Sequence, residues 1–166
     1  LKLVIFKNKR RDKIMQKIGF KRLTETAKMP TYAHPLDDAG MDFYADEDVL
    51  ICGGESEIIK TGLAWKPFKE SVPKGYKVVL KIEPKSGLSC NCSIETGAGV
   101  IDQTYTGEIM IHLYNHSKED QSAHFLKGIK IAQGIVEYIP IVEIVEVDEL
   151  GITNRGAGGF GSTGEK

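Results

Sequence analysis

Asp102 and Tyr105 lie three residues apart in the middle of Gly97-Ala98-Gly99-Val100-Ile101-Asp102-Gln103-Thr104-Tyr105-Thr106-Gly107-Glu108-Ile109-Met110. A carboxylate can orient a water or accept a hydroxyl proton, and an aromatic ring can stack on a sugar or a base. Gly97, Gly99 and Gly107 stand at the shoulders, where a missing Cβ lets another group approach the backbone closely. The apolar arms Val100-Ile101 and Ile109-Met110-Ile111 flank this polar centre, which is the pattern of a β-hairpin. A second stretch able to do chemistry closes the chain, Arg155-Gly156-Ala157-Gly158-Gly159-Phe160-Gly161-Ser162-Thr163-Gly164-Glu165-Lys166, with five glycines in twelve residues. So glycine-rich a segment reads as a flexible tail that cannot order itself. With Arg for a terminal phosphate, Ser and Thr donors for a phosphate chain and Phe for a flat base, it also reads as a lid that orders on a nucleotide.

The elements that must hold these residues are short. Pro30, Pro35, Gly40, Gly53-Gly54, Gly62, Pro67, Pro73, Gly75, Pro84 and Gly87 punctuate the chain before the central stretch. Between and beyond them lie the β-type runs Ile58-Ile59, Tyr76 to Ile82, Ile109 to Tyr114, Ile129 to Ile139 and Ile141 to Val147. Tyr76, Val78, Leu80 and Ile82 alternate with Lys77 and Lys81, a period of two that marks a strand with one buried face. No window of helical length keeps a 3.6 period with caps. The expectation is an all-β barrel or sandwich of short antiparallel strands.

With 166 residues, the chain is the size of one domain with a real core. No run reaches the length of a membrane span, and Leu1 to Phe6 is too short for a signal-peptide core. A soluble, unsecreted, cytoplasmic protein is expected, with the nucleus as the alternative, or a host cell if the source is viral. Cys52, Cys90 and Cys92 are an odd number without C-x-x-C spacing, which supports neither a disulfide framework nor a zinc site. His112 and His116 are four apart, but on a strand they stand too far from each other to share a metal.

The net charge of −1 hides an asymmetry: residues 1–28 hold ten Lys or Arg against Asp12 and Glu25. The remainder is therefore acidic and cannot hold a polyanion by bulk charge; phosphates would need placed donors and a divalent cation. Residues 1–18 read as a poorly ordered basic extension, 19–150 as the β domain and 151–166 as a flexible covering tail. Nucleic acid is not expected as a partner, the basic arm being the one feature in its favour, and neither is a membrane.

From about Gly19 to Lys166 the chain resembles the homotrimeric deoxyuridine triphosphatases (dUTPases), whose five motifs appear in order. They are Asp38-Ala39-Gly40-Met41-Asp42-Phe43, Pro84-Lys85-Ser86-Gly87-Leu88, Gly99 to Ile109, Lys127-Gly128-Ile129-Lys130-Ile131-Ala132-Gln133, and Arg155 to Gly164. The resemblance implies a distorted jelly-roll of antiparallel strands and hydrolysis of dUTP to dUMP and pyrophosphate, which keeps uracil out of DNA and supplies dUMP for thymidylate synthesis. It implies a homotrimer with shared sites, the tail of one chain covering the site of another.

The roles it implies are specific. Asp102 orients the attacking water and contacts the 3′-hydroxyl. Tyr105 packs on the deoxyribose and leaves no room for a 2′-hydroxyl. Main-chain groups from Gly99, Val100 and Ile101, and near Met110, read uracil; cytosine would leave buried groups unpaired. Lys85, Ser86, Gly87 and Gln133 hold phosphates. Asp42 holds Mg²⁺ through bound water, as that hard ion prefers. Arg155 clamps the γ-phosphate, Phe160 stacks over uracil, and Gly161, Ser162 and Thr163 add phosphate contacts.

Departures from the family pattern are Lys85 and Lys130, each in place of the usual Arg, and Ile129 in place of Asp. A Lys keeps the charge and loses the planar fork. Cys90-Asn91-Cys92-Ser93 replaces a Lys-His-rich stretch, a change without a functional account. A related dCTP deaminase would need a Glu as base where Asp102 stands. A regulatory relative that binds nucleotide without turnover is the other alternative, resting on Lys85 and the basic arm.

Overall fold

A computed structural model describes residues 17–158. Eleven strands and one short helix follow in order: β1 (Ile18–Arg22), β2 (Met41–Tyr44), β3 (Val49–Ile51), β4 (Ser56–Lys60), β5 (Leu63–Pro67), β6 (Tyr76–Glu83), α1 (Ser86–Cys92), β7 (Ile94–Gly97), β8 (Val100–Asp102), β9 (Met110–Asn115), β10 (Ala123–Phe125) and β11 (Lys130–Pro140). All the paired strands run antiparallel. A four-stranded sheet has the order β2-β11-β6-β8 and a three-stranded sheet the order β4-β9-β7, with the pairs β1-β5 and β10-β3 beside them. Among the described residues the strands do not close into a barrel; the arrangement is jelly-roll-like.

Alternation decides which faces meet. Val78, Leu80 and Ile82 of β6, with Phe43, Ile101 and Ala132, point inward toward Ile59, Ile94, Ile111 and Leu113 of the three-stranded sheet. Phe43, Ile59, Leu80 and Leu113 are completely shielded from solvent, and removing any such side chain costs roughly 2–5 kcal/mol. Gly134 of β11 is part of this packing: a Cβ there would stand 2.4 Å from the Phe43 ring. The body begins one residue before the expected boundary, since Ile18 already pairs with Pro67.

Three expectations need correcting. Val100-Ile101 and Ile109 to Ile111 are not arms of one hairpin: β8 pairs with β6, whereas β9 pairs with β4 and β7. The stretch between them is a corner that carries the chain from one sheet to the other, turning where Tyr105 N–H donates to the Asp102 carbonyl at 3.0 Å. Residues 141–147 form no strand with this chain. Their β-type composition is real, but no edge of the same chain takes them; Ile144, Leu150 and Ile152 are almost fully exposed. The helix α1 was not expected. Its seven exposed or half-buried residues, about two turns, offer no periodicity to read, and it ends because Ser93 adopts a left-handed conformation (φ 56°).

Candidate active site

The four-stranded sheet has a second face, and four of the expected site residues, Asp42, Gln133, Val100 and Asp102, lie on it. Residues directly opposite each other in antiparallel strands share a face. Asp42, Gln133 and Glu83 form one row across β2, β11 and β6; Ile135, Lys81 and Val100 form the next; Glu137, Val79 and Asp102 form the third. Asp42 and Asp102 thus stand on the same face at opposite edges. Three inter-strand steps of about 4.8 Å put those edges about 14 Å apart. The site residues therefore gather in two clusters.

The first cluster is built around Asp42, only 7 % exposed. Its Oδ1 accepts from Lys85 Nζ at 2.5 Å and its Oδ2 from Lys130 Nζ at 2.7 Å. Burial pushes the Asp42 carboxyl up, but hydrogen bonds from Lys130 and Lys85 and their charges outweigh it, and the group is held below the ordinary value of 3.8. The hydrogen bond to Asp42 in turn raises the Lys130 ammonium. Lys85 is the residue before α1, in extended conformation, with Ser86 and Gly87 exposed in the first turn. Helix geometry leaves first-turn N–H groups without acceptors. Gln133 donates its amide to the Pro84 carbonyl at 2.9 Å and so ties β11 to the entry of α1. Gly40 makes room for it, since a Cβ there would meet Gln133 Oε1 at 2.6 Å.

The second cluster is the corner. Asp102 ends β8, exposed. Tyr105 is half exposed and donates its hydroxyl to the Glu108 carbonyl at 3.0 Å, closing the turn on itself. Gly107 permits that closure, because a Cβ would sit 2.5 Å from the Tyr105 hydroxyl. Gly99 is equally constrained: a Cβ would lie 2.3 Å from the Ile82 carbonyl oxygen. The corner is pinned to β5 by the Ile109 N–H to the Leu63 carbonyl at 2.7 Å and by the Thr61 hydroxyl to the Ile109 carbonyl at 2.6 Å. Ile101 spends its side chain on the core, so only its backbone is available to a ligand, while Val100 and Met110 are exposed.

Arg155 lies in a turn far along the chain and donates from Nε to the Gly158 carbonyl at 2.9 Å. Phe160, Gly161, Ser162 and Thr163 lie outside the described residues. Among the described residues no three His, Cys, Asp or Glu side chains cluster to hold a metal. Among the described residues both Asp42 oxygens are engaged by ammonium groups, which leaves that carboxylate no free oxygen for direct coordination of Mg²⁺. The sequence reading missed the placement of Lys130 beside Asp42. It also missed Lys81, which lies between Glu83 at 2.9 Å and Glu137 at 3.5 Å.

Comparison with known proteins decides what these clusters belong to. The dUTPase family model matches residues 25–164. The chain belongs to the dUTPase family. A deoxyuridine 5′-triphosphate nucleotidohydrolase of Alkaliphilus metalliredigens is 42 % identical over 154 residues, 92 % of this chain and all of its own. That of Nautilia profundicola is 41 % identical over 90 % of this chain and 99 % of its own. Among solved structures, the dUTPase of Staphylococcus bacteriophage 80alpha with dUPNHPP superposes with a TM-score of 0.76 at 27 % identity, over 91 % of this chain and all of that one. A variant dUTPase from phage phi11 of S. aureus, which coordinates a structural Mg(II) ion, gives 0.69 at 25 % identity over 81 % of this chain and 98 % of that one.

Proposed function

We propose that this protein hydrolyses dUTP to dUMP and pyrophosphate. The observation that carries the reading is the corner: an exposed carboxylate three residues from an exposed phenol, on a tight turn that Gly99 and Gly107 allow to close against Ile82 and Tyr105. Asp102 orients a water toward the α-phosphorus and takes its proton as the new P–O bond forms. The bond to the bridging oxygen then breaks, and pyrophosphate leaves with the electron pair. Tyr105 packs on the deoxyribose in this reading and so selects against a 2′-hydroxyl, its ring held by the hydroxyl's hydrogen bond to the Glu108 carbonyl. Lys85 and the first-turn N–H groups at Ser86 and Gly87 draw the phosphates, while Gln133 holds that turn in place through Pro84. Positioning and charge neutralisation supply most of the acceleration in such phosphoryl transfers. Mg²⁺ is proposed to arrive with the triphosphate, whose oxygens are the hard ligands it prefers.

The separation of the two clusters supports a shared site in a homotrimer. One chain offers a nucleoside corner and a phosphate cluster about 14 Å apart across the sheet and about 13 Å apart along the strands, roughly 20 Å in all, so a neighbouring copy is needed to bring a second chain's cluster to each. The exposed apolar residues Ile144, Leu150 and Ile152 give such copies a surface to bury. Arg155, with Phe160 and the tail beyond it, is proposed to cover the site of another chain.

The test is pyrophosphate release from dUTP, UTP, dTTP and dCTP with Mg²⁺ and then with a chelator. Fast, metal-dependent release from dUTP alone is expected. Binding of dUTP with no release from any of the four would overturn the reading in favour of a nucleotide-binding relative.

A further inference from the structure

The geometry points to Lys130 as a positioning residue of the phosphate site: it keeps Asp42 anchored when Lys85 leaves that carboxylate for a phosphate oxygen. This rests on the dUTP reading above.

In the resting chain one carboxylate serves two ammonium groups, Lys85 at 2.5 Å on Oδ1 and Lys130 at 2.7 Å on Oδ2. Two ammonium groups share this one carboxylate, so either can depart without leaving it unpaired. Of the two, Lys85 is the one beside the open first turn of α1. A lysine is a point charge on a flexible four-carbon stem and can swing where an arginine fork would be held. Moving it to a phosphate would ordinarily strand Asp42, which is mostly buried, and a buried charge without a partner is strongly unfavourable. Lys130 removes that obstacle. Its own side chain is 45 % exposed and grips the other carboxylate oxygen, so Asp42 stays paired and in place after Lys85 has gone. The bulge in β11 between Lys130 and Ala132 turns Lys130 onto the Asp42 side of the sheet, and the Lys28 ammonium nearby binds the Gly128 carbonyl, at 3.0 Å, and leaves Asp42 to these two.

The decisive experiment is a double-mutant cycle on the full chain, read by dUTP kinetics and by calorimetric binding of a non-hydrolysable dUTP analogue. Lys130→Met is expected to raise KM and weaken analogue binding on the order of tenfold with kcat changed less than about threefold. Deoxyuridine affinity, which involves no phosphate, should not move, and Lys130→Arg should restore the parent values. In an Asp42→Asn background, where there is no carboxylate to anchor, adding Lys130→Met should cost nothing further. Unchanged KM and analogue affinity in Lys130→Met would overturn the proposal. So would a full tenfold loss persisting in Asp42→Asn, which would make Lys130 a direct phosphate contact. Should Lys130→Met not fold, Lys130→Gln carries the same comparison. Failure of the parent to turn over dUTP would count against the proposed function, and the analogue-binding arm would still decide the role of Lys130.

Discussion

At the scale of single residues, chemistry was legible where type and neighbourhood agree. Asp102 and Tyr105 declared themselves because a lone carboxylate and a ring between glycines have few structural uses, and the close approaches of Gly99 and Gly107 show why those positions carry no side chain. Asp42 could be picked out from the sequence as a site candidate, but its surroundings could not. Nothing in the sequence near it indicates two lysines from other segments, and its environment is set by contacts with residues forty-three and eighty-eight positions away. The role of Asp102 makes a direct prediction. Asp102→Asn keeps shape and hydrogen bonding but cannot take a proton, so pyrophosphate release should fall on the order of 10³-fold. Calorimetry should find dUTP bound within a few-fold of the parent affinity. Retained turnover would remove Asp102 from the role of base.

At the scale of elements, strand positions were readable by alternation and their partners were not. The period-two pattern of β6 places Val78, Leu80 and Ile82 in the core as expected. The two apolar arms around Asp102 looked like one hairpin because they are close in sequence and equally β-like. They part because β8 is taken up by the long edge of β6, while β9 is paired on both sides, between β4 and β7. Lys130 illustrates the same limit. It stands three residues before Gln133, and simple alternation puts the two on opposite faces, but the bulge between Lys130 and Ala132 shifts the register. This pairing has a consequence for stability. Asp42 is held below its ordinary value of 3.8, so its ionised form contributes stability fully above that value and loses it as pH falls through the lower, folded-state value. Asp46 is held low in the same sense, burial opposing and hydrogen bonds from Thr24, Thr26 and Lys127 prevailing. Thermal unfolding should therefore change little between about pH 7 and 5 and turn steeply downward only below about pH 4. Asp42→Asn should show a shallower acid slope. An equal slope in the variant would mean that Asp42 is not ion-paired in solution.

At the scale of the whole molecule, the two groups of candidate site residues stand apart in a single chain. The phosphate cluster at β2 and α1 and the nucleoside corner at β8 occupy opposite edges of one sheet, while residues 141–152 leave β11 with apolar side chains unburied. A closed ring of identical copies resolves both, because a heterologous interface repeated by rotation brings the same two edges together at every junction. Complementation tests this more sharply than a molecular mass does. Truncation before Arg155 should leave the assembly intact and remove most turnover; so should Asp102→Asn. Unfolded together and refolded in equal amounts, the two inactive chains should recover about a quarter of parental activity, since random mixing places an intact corner and an intact tail from different chains at that share of sites. A tail that served its own chain's corner would give no recovery at any mixing ratio, and the site would then have to be built within a single copy.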